Sequence, residues 1–386
     1  MLDWARQLSF PRYPGTTGDG EAIAWVRAQF EEAGLDVAVE EFTYDIRPAF
    51  RALRIMLLGC AVLVGASAWI AATRPLAATL LGLAALCVGL VFLTWAPGME
   101  RIYAQPGSTR TANVIGRYGS PGRDGDLILL AHHDSKSQNL TFPVRIGATL
   151  MAVVGTVGLL TWQGLSWSGI VPGPSLAAVF GGVAVAGLVI LSTLSSGNRS
   201  PGGVDNAGSV AVLLELARHL PEALPDSVGI VFLSPGAEED HMVGAMRWLD
   251  RHSDELDERP VLAINFDGVG NHGRPVALER YGLGRRFSPI LSRLAREAAE
   301  RLGLRMRGIL MPPGMGIDSI PFAHRGIDCL TFSSGSLNRA TMAIHSAADS
   351  AENLDAATLA EGARLAAETA VLAAEALVDG RASRRS

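Results

Sequence analysis

LILLAHHDS (127–135) and GGVDNAGSVAVLLELAR (202–218) decide how this chain is read. The first is an apolar run that breaks on His and Asp, as when a buried strand delivers polar groups at its carboxyl end. The second puts Asp205 ahead of an apolar helical run, where its plainest role is an N-cap. Between them lies the block 146–198, which contains no charged residue. The flanks read as parts of one α/β domain, and the block reads as membrane.

A helix needs about 20 apolar residues to cross the hydrocarbon core. IMLLGCAVLVGASAWIAAT (55–73) and PLAATLLGLAALCVGLVFLTWAPGM (75–99) are both uncharged, and Arg74 alone separates them. GATLMAVVGTVGLLTW (147–162) and SLAAVFGGVAVAGLVILSTL (175–194) flank a link rich in Gly and Pro. The chain therefore carries two expected hairpins, each returning it to the side it left. That side holds Arg47, Arg51, Arg54, Arg101, Lys136, Arg145 and Arg199 near the spans, and the other offers Arg74. The positive-inside rule then puts the hydrophilic part in the cytoplasm of a multi-pass membrane protein, with the lipid bilayer as a partner.

Composition agrees. Of 386 residues, 48% are hydrophobic and 18% charged, against about 25% charged in an ordinary soluble domain. The mean hydropathy is +0.25. A net charge of −5 without a long basic run argues against nucleic acid as a partner. The three cysteines, Cys60, Cys87 and Cys329, form no CxxC pair and imply neither a disulfide framework nor a thiolate metal site. No signal peptide is read in the first fifty residues.

With both hairpins set aside, an α/β pattern remains. VAVEEFTYDI (37–46) and ANVIGRY (112–118) alternate like strands, and DLILLA (126–131), VGIVFLS (228–234), VLAINF (261–266) and CLTFSS (329–334) read as inner strands of a covered sheet. Helical spacing falls at 18–35, 206–219, 243–252, 288–302 and 355–378. His132 and Asp134, Glu238 and Glu239, and Asp267 each follow an expected strand, where open α/β folds build their sites. Taken singly these are ordinary: a capping pair, a solvated loop, a lone acid. Imidazole and carboxylate groups together suit zinc, and a two-metal hydrolytic site also needs a base.

AHHDS, GVDNAGSVAVLLELAR, FLSPGAEED, INFDGVG and IHSAADSAENLD, in this order, resemble the zinc-dependent M28 metallopeptidases, and YPGTTGDGEAIAWVRAQFEEAGL resembles that family's N-terminal helix. The resemblance covers the hydrophilic sequence and neither hairpin. It implies an α/β fold with a central mixed sheet flanked by helices. It further implies two zinc ions, with Asp205 bridging, Glu239 and His345 completing one site, and His132 and Asp267 the other. Glu238 would be the general base, and Asp134 would hydrogen-bond His132 and fix its tautomer. Asp349 either supports the loop carrying His345 or caps a helix. The implied activity is an aminopeptidase acting on peptides. The alternatives are a single-zinc enzyme like a glutaminyl cyclase, and an inactive binding protein on a peptidase scaffold.

DNAGS stands where the family often has DNASG, and Val204 where an acid is common. His133 and His241, beside the motifs, read first as partly exposed side chains without a role. Met311, Met315 and Ile317 read as a substrate pocket or, equally, as core. Seventy-three positions separate His132 from Asp205, and the uncharged block accounts for 53 of them, leaving a loop of 20. The expected organisation is peptidase domain over 1–52, 100–145 and 199–379, hairpins over 53–99 and 146–198, and a disordered tail over 380–386.

Overall fold

The computed structural model describes residues 1–95, 105–119, 122–170, 173, 175–312, 315–335 and 338–381. Arg101 and the tail beyond 381 lie outside these. The chain divides into two compact units. Met1–Asp45, Pro97–Ser137 and Gly197–Ser386 make one, and Ile46–Ala96 with Gln138–Ser196 make the other.

The first unit is built on a mixed sheet. Its strands are β1 (Asp36–Tyr44), β2 (Thr109–Tyr118), β3 (Gly125–Leu130), β4 (Val228–Ser234), β5 (Val261–Phe266), β6 (Arg274–Tyr281), β7 (Arg307–Leu310) and β8 (Asp328–Gly335). They lie in the order β1-β2-β4-β3-β5-β8-β6-β7. The centre, β4-β3-β5-β8, is parallel, and antiparallel pairings flank it. Alternate side chains of a strand face opposite ways. Leu127 and Leu129 accordingly join one apolar core and Ile128 and Leu130 another, all four fully buried. Burial on both faces is why the inner strands are apolar runs.

Leu127, Leu129, Phe232 and Ile264 pack against residues of α2 (Thr17–Glu32), α7 (Gly208–His219), α9 (Pro289–Arg301) and α10 (Ala356–Val378). Ile128, Leu130 and Leu233 pack against Trp248 and Leu249 of α8 (Val243–Arg251) and against Phe322. Thr16 caps α2 by accepting from Asp19 N, and Asp355 caps α10 by accepting from Thr358 N. The sequence reading did not anticipate β6, β7 or the opening helix α1 (Leu2–Leu8).

The second unit contains α3 (Arg47–Ile70), α4 (Pro75–Trp95), α5 (Phe142–Trp167) and α6 (Ser175–Ser192), each long and apolar enough to cross a membrane. α5 runs 26 residues, longer than its apolar stretch implied. At 1.5 Å per residue that is about 39 Å, more than a hydrocarbon core of about 30 Å. Ile55, Val62 and Trp69 are 70% exposed or more. Such a surface suits lipid and not water. Small residues let the helices close up. A Cβ on Gly181 would stand 2.4 Å from Ala68 Cβ, and one on Gly155 2.5 Å from Ala184 N. Gln163 Nε2 donates to Ser67 Oγ at 2.9 Å, and Ser67 Oγ donates to Ala78 O at 2.7 Å.

Candidate metal centre

Three adjacent parallel strands end at the same place. His132 follows β3, Glu238 and Glu239 follow β4, and Asp267 follows β5 with its N–H donating to Phe332 O at 3.0 Å. Asp205 and His345 arrive from outside the sheet. Asp205 sits in extended backbone (φ −121°, ψ 83°) ahead of α7, which starts at Gly208. It is therefore no N-cap of that helix. Asn206 fastens this turn to the next strand end: its Nδ2 donates to Phe266 O at 3.0 Å, and its Oδ1 accepts from Gly268 N at 3.1 Å. His345 lies in the left-handed region (φ 62°).

The five side chains form two groups that share one member. Donor atoms of His132, Asp205 and Asp267 lie within 4.8 Å of one another, as do those of Asp205, Glu239 and His345. Asp205 Oδ1 is 3.3 Å from His132 Nε2 and its Oδ2 is 3.2 Å from His345 Nε2. His345 Nε2 is also 3.0 Å from Glu239 Oε2. Glu238 stands beside them, with Oε2 3.8 Å from His132 Nε2.

The electrostatics are those of a site short of cations. Glu238, Glu239, Asp267 and Asp318 are all buried, and both oxygens of Asp318 lack a hydrogen bond. Burial pushes Glu238 well above the usual carboxylate range against the pull of His132, with Asp318, Asp267 and Glu239 adding to it. Burial, with the charge of Asp205, takes Asp267 to about 7, and burial takes Asp318 to about 8. Burial also pushes Asp205 upward, but His132 and His345 pull it well below the normal value. His132 goes the other way: burial disfavours its charge, yet Glu238, Asp134 and Asp205 raise it well above 6.5. Neither nitrogen of this fully buried ring makes a hydrogen bond. Crowded buried carboxylates and an unsatisfied imidazole are the donor set a divalent cation relieves, and O and N donors together fit zinc.

Asp134 Oδ1 lies 3.4 Å from His132 Nδ1. Its oxygens also accept from Glu238 N and Glu239 N, each at 3.1 Å, so it anchors the backbone of the acidic pair. Two expectations need revision. Asp349 serves the Asp205 turn and not the His345 loop, since Oδ1 accepts from Val204 N at 2.8 Å. His133 is fully buried, 3.1 Å from Ser234 Oγ, and burial drops it to about 4. Met311 and Ile317 are core, packed with Met242 and Tyr281, whereas Met315 is 38% exposed.

Two cations went unrecognised. Lys136, counted among the charges beside the spans, is committed to Glu239. Its Nζ is 3.0 Å from Oε2 and donates to the backbone O at 2.6 Å, while its N–H donates to Oε1 at 3.0 Å. Arg12 is buried and bonded to backbone carbonyls of both flanking motifs. Asp240 holds the far end of the acidic turn, accepting from Tyr44 Oη at 2.6 Å and Tyr13 Oη at 2.9 Å.

Residues 182–370 match peptidase family M28. Over that stretch, just under half of the chain, it is similar to this family. The matched stretch holds Asp205, Glu238, Glu239, Asp267 and His345, and His132 precedes it. A relative, aminopeptidase YwaD of Bacillus subtilis (strain 168), is 30% identical over 133 residues, 34% of this chain and 29% of the relative. The match thus spans under a third of that relative's length. The fold is also seen in the zinc aminopeptidase BSAP of Bacillus subtilis, with a TM-score of 0.58 at 16% identity over 96% of this chain and 94% of that one. A glutaminyl cyclase of Fimbriiglobus ruber shares it with a TM-score of 0.56 at 14% identity, over 96% of this chain and 93% of that one.

Proposed function

We propose that this protein is a dinuclear zinc aminopeptidase. One observation carries the reading: two three-residue donor groups share Asp205, with the free acid Glu238 at their side. Asp205, Glu239 and His345 would hold one zinc ion, and Asp205, His132 and Asp267 the other. Zinc there would supply Lewis acidity, polarising a carbonyl and making a water acidic enough to ionise near neutral pH. The rest falls to the chain. Glu238 takes the proton of the attacking water and hands it to the departing amine. Burial keeps that carboxylate poorly solvated and so a stronger base. Asp134 fixes the turn that aims it, and Asp318, whose oxygens lack a hydrogen bond, offers an acceptor for the substrate's free amine. Metal analysis of the purified protein tests the donor set: two zinc ions per chain support it, and loss of both in Asp205→Asn supports the shared role.

A single-zinc, cyclase-like reading draws on Lys136. An ammonium 3.0 Å from Glu239 adds positive charge where two divalent cations already repel. One zinc per chain, with cyclisation of N-terminal glutamine and no release of residues, would favour that reading.

The four apolar helices would span the bilayer as two hairpins, with the hydrophilic unit in the cytoplasm. Arg47, Arg51, Arg54 and Arg145 at one set of helix ends, against Arg74 at the other, support this orientation. A reporter fused to the C-terminus that is active only outside the cytoplasm would reverse it.

A further inference from the structure

Arg12 is fully buried yet, among the described residues, its guanidinium pairs with no carboxylate. All its guanidinium bonds go to backbone carbonyls. Nη1 donates to Leu8 O at 2.8 Å, to Phe10 O at 3.1 Å and to Pro201 O; Nη2 donates to Gly202 O at 2.9 Å; and Nε donates to His133 O. The main chain of residue 12 doubles the link. Its N–H donates to Ser135 Oγ at 3.2 Å, its carbonyl accepts from Ser135 N at 3.3 Å, and Ser135 Oγ donates on to Ser200 O at 3.0 Å.

These partners are not scattered. His133 adjoins His132, and Gly202 lies three residues before Asp205. The two segments belong to different proposed ligands and are separated in sequence by an apolar insertion of more than fifty residues. One side chain bonds both. Lysine could not replace it, because its donors radiate from one atom, whereas the guanidinium spreads five N–H groups over a rigid plane. Burial lowers Arg12 only to about 10, so it keeps its charge at neutral pH among Asp134, Asp349, Asp205 and Glu239.

We propose that Arg12 is a positioning residue that sets the zinc affinity of the centre by locking the His132 and Asp205 segments together. This rests on the zinc reading above. The test is zinc affinity by competition with a chromophoric chelator, on full-length protein in detergent. Arg12→Lys and Ser135→Ala are compared with Leu249→Ala, a buried change in the α8 core. Thermal midpoints of the metal-free proteins run in parallel. Partners behind metal ligands are worth about 10–100-fold in affinity. Arg12→Lys should weaken zinc by that factor and Ser135→Ala by less, while Leu249→Ala binds as the parent does despite a lower midpoint. Should Arg12→Lys not fold, Ser135→Ala carries the decision. Parent-like affinity in the folded Arg12 or Ser135 variant, or equal weakening in Leu249→Ala at matched midpoint, overturns the proposal. A parent protein that binds no zinc would instead refute the metal reading itself.

Discussion

Glu238→Gln removes one proton acceptor and little else. The amide has the carboxylate's shape, and Asp134 holds residue 238 through its backbone N–H, which the change leaves in place. The nearest imidazole nitrogen is 3.8 Å away, so no close ion pair is broken. A positioned general base contributes about 10²–10⁴-fold, which at 1.36 kcal/mol per decade is about 2.7–5.5 kcal/mol of barrier. The turnover number should fall by that factor. Zinc content should hold, because Glu238 belongs to neither donor group and its charge is what most raises His132, the ring that must be neutral to bind metal. The metal-free variant should be no less stable at pH 7. The folded protein raises Glu238 well above its usual value, so ionising it opposes folding, and the amide relieves that cost. The assay is steady-state hydrolysis of a peptide the parent cleaves, with zinc measured on the same sample. A turnover number within threefold of the parent at equal zinc would refute the assignment.

Asp267, Asp318 and Asp349 sit at about 7, 8 and 7 in the folded chain, so each is penalised as it ionises, and His132 and His345, raised above 6.5, lose their contribution over the same range. The chelated protein should therefore lose thermal stability as pH rises from 6 to 8.5, and zinc should flatten the slope; a rising midpoint in the chelated sample contradicts this. Gly203→Ala should destabilise the protein and deplete zinc, because the new Cβ would lie 2.1 Å from the backbone carbon of Ser350, beside the Asp205 turn; unchanged metal content would count against that packing. Asp355→Ala should cost about 1 kcal/mol by removing the N-cap of α10, read as a lower denaturation midpoint without loss of zinc.

The sequence disclosed what depends on local pattern. Apolar runs at 126–131, 228–234 and 261–266 became β3, β4 and β5 almost to the residue, because strands buried on both faces admit little else. Polar residues directly after those runs were bound to converge, since parallel neighbours end on one side. Long-range hydrogen bonding left no such mark. Arg12 lies in a short Pro-flanked loop, and nothing local shows that its guanidinium bonds carbonyls near 133 and 201. Lys136 followed an acidic motif and preceded a span, so its charge was credited to the membrane; its partner is over a hundred residues on. Asp349 reads as support for the His345 loop or as a helix cap, whereas a backbone N–H at 204 claims it. β6 escaped notice because its apolar stretch is short and bounded by Arg274, Glu279 and Arg280, and β7 because RGIL is four residues long and mostly exposed.

The most direct test offers the zinc-loaded, detergent-purified protein one peptide in two forms, with its N-terminus free and acetylated. A dinuclear aminopeptidase releases the first residue from the free form alone, and loses that activity to a chelator and to Glu238→Gln. Equal cleavage of both forms, or no release from either under full zinc loading, would contradict it.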